Sequence, residues 1–261
     1  MPAVARSQER ADERRAALVE MLRQRGNMAV ADLPDVFGVS AETIRRDLRV
    51  LEDRREVTRA YGSVRAVESG TFETNREERT TRNAEEKLRI ARVAAQRIGT
   101  AETIFIDEGY LPLVVAREFP QNRKLTIVTS SLPTACELAK LPHLTVIAVG
   151  GRVRASTLGV VDPWSVSMLE SMELDLAIVG ANGVTEKGWL TTPDPAVAGT
   201  KRAAMAAARR RIFVGDHSKF GQSTFVRFGR LADVECAITG HEMREATARR
   251  YSLLGTEIVR A

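Results

Sequence analysis

Ser40-Ala41-Glu42-Thr43-Ile44-Arg45-Arg46-Asp47-Leu48-Arg49-Val50-Leu51 is the stretch on which the fold of the first quarter of this chain turns. Ile44, Leu48 and Leu51 recur at helical spacing and predict a buried stripe. Ser40 is a natural N-cap, because its hydroxyl accepts from an orphan backbone N–H. Glu42 sits in the first turn, where the helix dipole favours negative charge. Thr43, Arg45, Arg46 and Arg49 remain for the outer surface. Planar guanidinium forks on such a surface suit phosphates and guanine edges.

The flanking sequence gives this helix its setting. A charged helix runs from Gln8 to about Gln24, with Ala11, Leu18, Val19 and Leu22 on its apolar side, and Gly26-Asn27 ends it. A second helix is expected over 30–37, with Pro34 early in it. Gly38-Val39-Ser40 turns the chain into the third helix, which extends to about Arg54. The period then shortens: Val57–Ala60 and Val64–Val67, joined by Tyr61-Gly62-Ser63, predict a hairpin. Helix, turn, helix and hairpin together read as a winged helix-turn-helix over residues 1–67, which presents its last helix to a DNA major groove. Charge adds little. Residues 1–67 hold thirteen arginines and no lysine against eleven acidic residues, so the argument rests on where the arginines point.

Residues 68–84 are polar and charged and read as a linker, though such a stretch could also be ordered against either domain. From 85 to 261, helix and strand alternate. Apolar runs rich in Val and Ile predict strands at 103–107, 125–130, 144–149, 176–180, 211–215 and 236–239. Helical patterns lie at 88–98, 111–119, 133–140, 164–172 and 197–210. Strands apolar on both faces, alternating with helices, imply an α/β domain with a mostly parallel sheet covered on both sides.

The whole chain of 261 residues carries a formal net charge of +5, too mild to decide a partner. No window reaches the ~18 uninterrupted apolar residues of a membrane span, and no apolar run near Met1 resembles a signal peptide, so a soluble cytoplasmic protein with no membrane partner is expected. Cys136 and Cys236 are far apart, with no Cys or His at metal-ligand spacing. They are expected to be buried reduced thiols, and no metal or cofactor is expected.

Thr43-Ile44-Arg45-Arg46-Asp47-Leu48, with Val39-Ser40 before it and Leu51 after it, resembles the signature of the DeoR family of bacterial transcriptional regulators. The likeness continues through Glu86-Lys87, the strand ending at Asp107, Ile127-Val128-Thr129, Gly150-Gly151-Arg152, Gly180-Ala181-Asn182-Gly183 and Asp216-His217-Ser218-Lys219-Phe220-Gly221. The resemblance implies a sensor domain similar to ribose-5-phosphate isomerase. It implies repression of carbohydrate-utilisation genes, relieved by a metabolite, usually a phosphorylated sugar. Ser40, Thr43, Arg45, Arg46 and Arg49 would then meet operator DNA, with Arg59 and Tyr61 in the wing. The wing departs from the family pattern: Arg59-Ala60-Tyr61-Gly62-Ser63 stands for Arg-x-His-Gly-Gly.

Ligands of an open parallel sheet gather beyond the carboxyl ends of its strands. The candidate effector residues are therefore Asp107, Gly109, Tyr110, Thr129, Gly151, Arg152, Asn182, Asp216 and Lys219. The family's first loop typically reads Asp-Ser-Gly-Thr-Thr and cradles a phosphate. Here it reads Asp107-Glu108-Gly109-Tyr110-Leu111. The expected effector is a sugar, polyol or sugar acid without phosphate at that loop, or a phosphate held by Arg152 and Lys219. Regulators of this build act as dimers or tetramers, because paired recognition helices read repeated half-sites. The competing reading is an isomerase- or deaminase-type enzyme using Asp107, Asp216 and Lys219, but no catalytic residue is assigned, and His143, His217 and His241 form no triad. A dinucleotide-binding protein is disfavoured, since no G-x-G-x-x-G follows a strand.

Overall fold

A computed structural model of the chain describes residues 2–26, 28–54, 56–60, 62–66 and 80–261. The chain divides into two compact units, Met1–Thr74 and Asn75–Ala261.

In the first unit, helices α1 (Pro2–Arg25), α2 (Leu33–Phe37) and α3 (Ala41–Asp53) are followed by strands β2 (Val57–Ala60) and β3 (Ser63–Ala66). Ile44, Leu48 and Leu51 of α3 are buried against Leu18, Val19 and Leu22 of α1, with Leu33, Val57 and Val64 closing the core. Two features depart from the sequence reading. The second helix begins at Leu33 rather than residue 30, because Met28–Ala29 forms a short strand, β1. That strand pairs antiparallel with β3, Met28 opposite Val64, so the wing is a three-stranded sheet. Gly38 caps α2 in the left-handed region at φ 61°, which favours glycine at the turn into α3.

Asp47, in the middle of the quoted stretch, is buried. It accepts hydrogen bonds from Arg14 Nε at 2.6 Å and Arg15 Nε at 2.8 Å. Two arginines of α1 thus neutralise the carboxylate that α3 turns inward. A buried charge is tolerated only when paired and bonded in this way.

The second unit is built on a seven-stranded sheet ordered β15-β14-β12-β9-β4-β5-β6, with every neighbouring pair parallel. Its strands are β4 (Thr103–Ile106), β5 (Leu125–Thr129), β6 (Leu144–Ala148), β9 (Leu174–Val179), β12 (Ala208–Val214), β14 (Cys236–Thr239) and β15 (Glu257–Arg260). Alternate side chains feed two cores, as strand geometry requires. Ile104, Ile106, Leu176, Ile178, Ile212 and Val214 pack under α4 (Ala84–Gln96) and α5 (Tyr110–Arg117). Phe105, Ala177, Val179 and Phe213 face α7 (Pro163–Glu170) and α8 (Pro195–Ala207). Helix α6 (Leu132–Leu138) follows β5, and α9 (Glu245–Ser252) precedes β15. A two-stranded flap, β7 (Arg152–Val153) and β8 (Val160–Val161), and a small antiparallel sheet of β10 (Gly183–Val184), β11 (Trp189–Thr192) and β13 (Val226–Arg230) complete the unit.

Strand order reverses between β4 and β9: the chain moves outward from β4 to β6, then returns to the other side of β4. The carboxyl ends of these two strands diverge into separate loops and leave a crevice. No helix among the described residues is long and apolar enough to cross a membrane. Cys236 is buried as expected, and burial pushes its thiol up to about 11, while Cys136 lies exposed on the outer side of the short helix α6.

Candidate operator surface and effector cleft

Helix α3 starts as its sequence requires. The Ser40 hydroxyl accepts from the Thr43 N–H at 3.2 Å and lies 2.9 Å from the Thr43 hydroxyl. Arg45, Arg46 and Arg49 are exposed, and Thr43 is half-buried. Arg45 is 3.6 Å from Glu42 one turn back, a contact made in solvent that constrains it little. Arg59 in the wing is tied to Glu52 of α3, which holds the Glu52 carboxyl below its ordinary range. Arg59 thereby fastens the wing to α3, so its guanidinium must leave or share Glu52 to reach a phosphate. Tyr61 lies outside the described residues.

In the second unit, the loops after β4, β9 and β12 line a cleft at the strand-order switch. Gly109, Tyr110, Asn182, Asp216 and Lys219 line it together. Asp107 lies just beneath, bonded to Lys201, which does line it. Thr129, Gly151 and Arg152 do not line it. Thr129 is fully buried, its hydroxyl accepting from the Ser131 N–H at 3.1 Å. The Arg152 N–H is bound to Asp162 Oδ2 at 2.8 Å, which fixes β7 with the Arg152 side chain in solvent. At Gly151 a Cβ would meet the Val161 carbonyl at 2.7 Å, so this glycine serves the close approach of β8.

The electrostatic centre is a buried ion pair. Asp107 accepts from the Lys201 ammonium and from the N–H groups of Glu108 at 2.8 Å and Gly180 at 2.9 Å. Lys201 also donates to the Gly180 carbonyl at 3.1 Å. The loops after β4 and β9 are thus clamped to helix α8. Beyond β12, Asp216 accepts from Asn83 at 3.1 Å and from the Ser218 N–H at 3.1 Å, with the Lys87 ammonium 4.0 Å away. Burial works to raise the Asp216 pKa, but Lys219, the Ser218 hydroxyl and Lys87 together hold it below the usual carboxylate range. Burial pushes Lys87 down to about 8; Asp216 opposes this, while Lys219 and Arg82 reinforce it.

On the β5 side, Glu108 lines the cleft and Arg154 lies behind it. Its guanidinium lies 3.6 Å from Glu108 and 3.1 Å from Asp194, and it donates to the Thr157 hydroxyl at 3.1 Å. Thr157 in turn donates to Glu108 at 3.0 Å. Glu108 is therefore held, with its side chain only 8% exposed. Gly159 makes room for it, since a Cβ there would lie 1.6 Å from the Glu108 oxygen.

Lys87, Lys201 and Arg154 were absent from the candidate residues, although a signal for the two lysines exists. Lys201 falls on the same stripe of α8 as Val197, Ala198, Ala204 and Met205, and Lys87 on that of Ile90, Ala91 and Ala94 in α4. A lysine on an apolar stripe is desolvated and needs a counter-charge. One trio among the described residues brings possible metal ligands together: Glu86, His217 and Glu242. Glu86 is committed there to His217 N, His217 Nδ1 and Gly240 N, and Glu242 is paired with Arg89, so the trio reads as a structural clamp.

A winged helix-turn-helix with an arginine-bearing outer face, followed by an α/β unit with a polar cleft, is the build of a ligand-responsive transcription regulator. Residues 14–70 match the DeoR-like helix-turn-helix domain, and residues 82–241 match the DeoR C terminal sensor domain. The glycerol-3-phosphate regulon repressor of Escherichia coli is 33% identical over 87% of this chain and 90% of its own. The regulator GlpR of Haloferax volcanii is 31% identical over 95% of this chain and 96% of its own. Among solved structures, ribose 5-phosphate isomerase from Methanocaldococcus jannaschii matches 53% of this chain and 55% of its own at 16% identity, with a TM-score of 0.39. The chain belongs to the DeoR family of DNA-binding transcriptional regulators.

Proposed function

We propose that this regulator represses carbohydrate-utilisation genes by holding operator DNA with its first unit, and releases it when a sugar, polyol or sugar phosphate occupies the cleft of the second. Residues 1–67 carry DNA recognition, 68–84 connect, with Arg82 and Asn83 already bonded to Lys87 and Asp216 of the second unit, and 85–261 sense the effector. The observation that carries the reading is the two-sidedness of α3: Ile44, Asp47, Leu48 and Leu51 are buried, while Arg45, Arg46 and Arg49 share the exposed side. Ser40, Thr43 and these three arginines enter or border the major groove, and Arg59 and Tyr61 steady the wing on the backbone. The protein works as a homo-oligomer on repeated half-sites, in the cytoplasm where its operator lies.

The effector contacts are Asp107, Gly109, Tyr110, Asn182, Asp216 and Lys219, joined by Lys87 and Lys201. The cleft senses and does not catalyse. Asp107, the strongest candidate base, is engaged by Lys201 and two backbone N–H groups, an arrangement that fixes the loops around it. The name of the Escherichia coli relative places glycerol 3-phosphate among the first probes. The test is retention of a bound operator duplex by the full chain against a panel of sugars, polyols and their phosphates. Release by one class at micromolar to millimolar concentration supports the reading. Turnover of any of these compounds, or indifference of the complex to all of them, counts against it.

A further inference from the structure

The cleft's two sides carry opposite charge. On the β5 side, Glu108 is the carboxylate that lines the cleft, and behind it, among the described residues, Arg154 is shared between Glu108 and Asp194. On the β12 side, one carboxylate, Asp216, lies among two cations, Lys87 and Lys219. Arg82 and Glu86, which also face Lys87, offset one another. Between the two sides, Asp107 and Lys201 neutralise each other. Strands β12 and β5 lie on opposite sides of the β9–β4 pair, so these clusters are separated across the crevice.

We propose that this polarity makes the cleft take its effector in one orientation, with the anionic group at Lys87 and Lys219 and the uncharged hydroxyl-bearing end toward Glu108. Glu108 acts as a resident anion. It occupies the reach of Arg154 and Thr157, and an incoming phosphate at the start of α5 meets a carboxylate already in place. Among the described residues, an anion at the opposite side meets two ammonium groups and one carboxylate. Glu108 is thus a specificity-determining residue, and Gly159 is the backbone position that admits it.

This inference rests on the cleft being the effector site, and its test is performed without DNA. Calorimetric titration of the full chain with inorganic phosphate and with glycerol 3-phosphate gives the affinities of wild type, Lys219→Met and Glu108→Gln. Loss of one charged hydrogen bond weakens binding by roughly tenfold or more, which is the result expected for Lys219→Met. Glu108→Gln is expected to tighten inorganic phosphate severalfold, because the carboxylate that meets it at the start of α5 is gone, and an unchanged affinity overturns the role given to Glu108. Lys219→Gln carries the same expectation if the methionine variant does not fold. A tenfold loss in Glu108→Gln, an unaffected Lys219→Met and Lys219→Gln, or no binding of either probe to wild type overturns the proposal. Phosphate that binds with the expected polarity but leaves the operator complex intact counts against release and leaves the polarity standing.

Discussion

Replacing Lys201 with Met removes the cation that sits against Asp107 at the strand-order switch. Asp107 is 1% exposed, and Met at 201 leaves its carboxylate against an apolar side chain in place of the ammonium. Breaking a buried pair by deleting one partner costs about 3–5 kcal/mol. The N–H groups of Glu108 and Gly180 still bond the carboxylate, which places the cost at the lower end, about 3 kcal/mol. For a unit of this size, 1 kcal/mol moves the melting midpoint by about 2–4 °C, so a fall of about 6–12 °C is expected. The chain's two tryptophans, Trp164 and Trp189, both lie in the second unit, so tryptophan fluorescence reports its melting separately from that of the first. The double variant Lys201→Met/Asp107→Asn removes both charges and is expected to recover about half of the loss. A midpoint within about 2 °C of wild type for Lys201→Met, or strict additivity of the two substitutions, refutes the clamp.

Asp47→Ala removes the carboxylate between Arg14 and Arg15, leaving Arg15 with Asp12 alone among the described residues, and is expected to cost the first unit about 3 kcal/mol, with operator binding weakened; an unchanged operator affinity contradicts the structural role given to Asp47. Gly159→Ala drives a Cβ into Glu108 and is expected to lower stability by about 1–3 kcal/mol, with Glu108→Ala restoring it, as melting of the single and double variants measures. Lys87 is held down to about 8 by burial, and a bound anion favours its protonated form. Affinity for an anionic effector is therefore highest below pH 8 and falls as pH rises through that value, with proton uptake visible by calorimetry in buffers of different ionisation heat; Lys87→Met flattens the profile. Arg46→Ala is expected to weaken operator binding by about 1–3 kcal/mol if it reads a base; if it reads a phosphate, the slope of log affinity against log salt drops by about one, and anisotropy titrations distinguish the two.

The fold was legible where one physical demand ruled a segment. Ile44, Leu48 and Leu51 have no place but a core, and the Val- and Ile-rich strands β4, β5 and β9 are buried on both faces, so both patterns are visible in sequence. Reading failed where tertiary pairing decided. The alanine-rich run through residue 210 looks helical, yet Ala208 already pairs with Leu174, and α8 passes into β12 with no loop. Helix α9 buries only Ala248 and Tyr251, too little to leave a periodic trace. At the cleft, the rule of strand ends located the loops after β4, β9 and β12, but it also named Thr129, Gly151 and Arg152 beyond β5 and β6, which do not line it: Asp162 pins the Arg152 backbone, and Arg154 is the arginine paired with Glu108. Lys87 and Lys201 come from helices, which a search confined to strand ends passes over.

The central claim is that the exposed side of α3 reads DNA sequence under control of the cleft. Selection of duplexes from a random pool by the full chain, repeated with Arg46→Ala/Arg49→Ala, tests it most directly. The wild type is expected to enrich one repeated or palindromic half-site, the double variant none, and addition of the effector to abolish the enrichment. A pool that stays uniform under the wild type at moderate salt, or the same site enriched by the double variant, contradicts it.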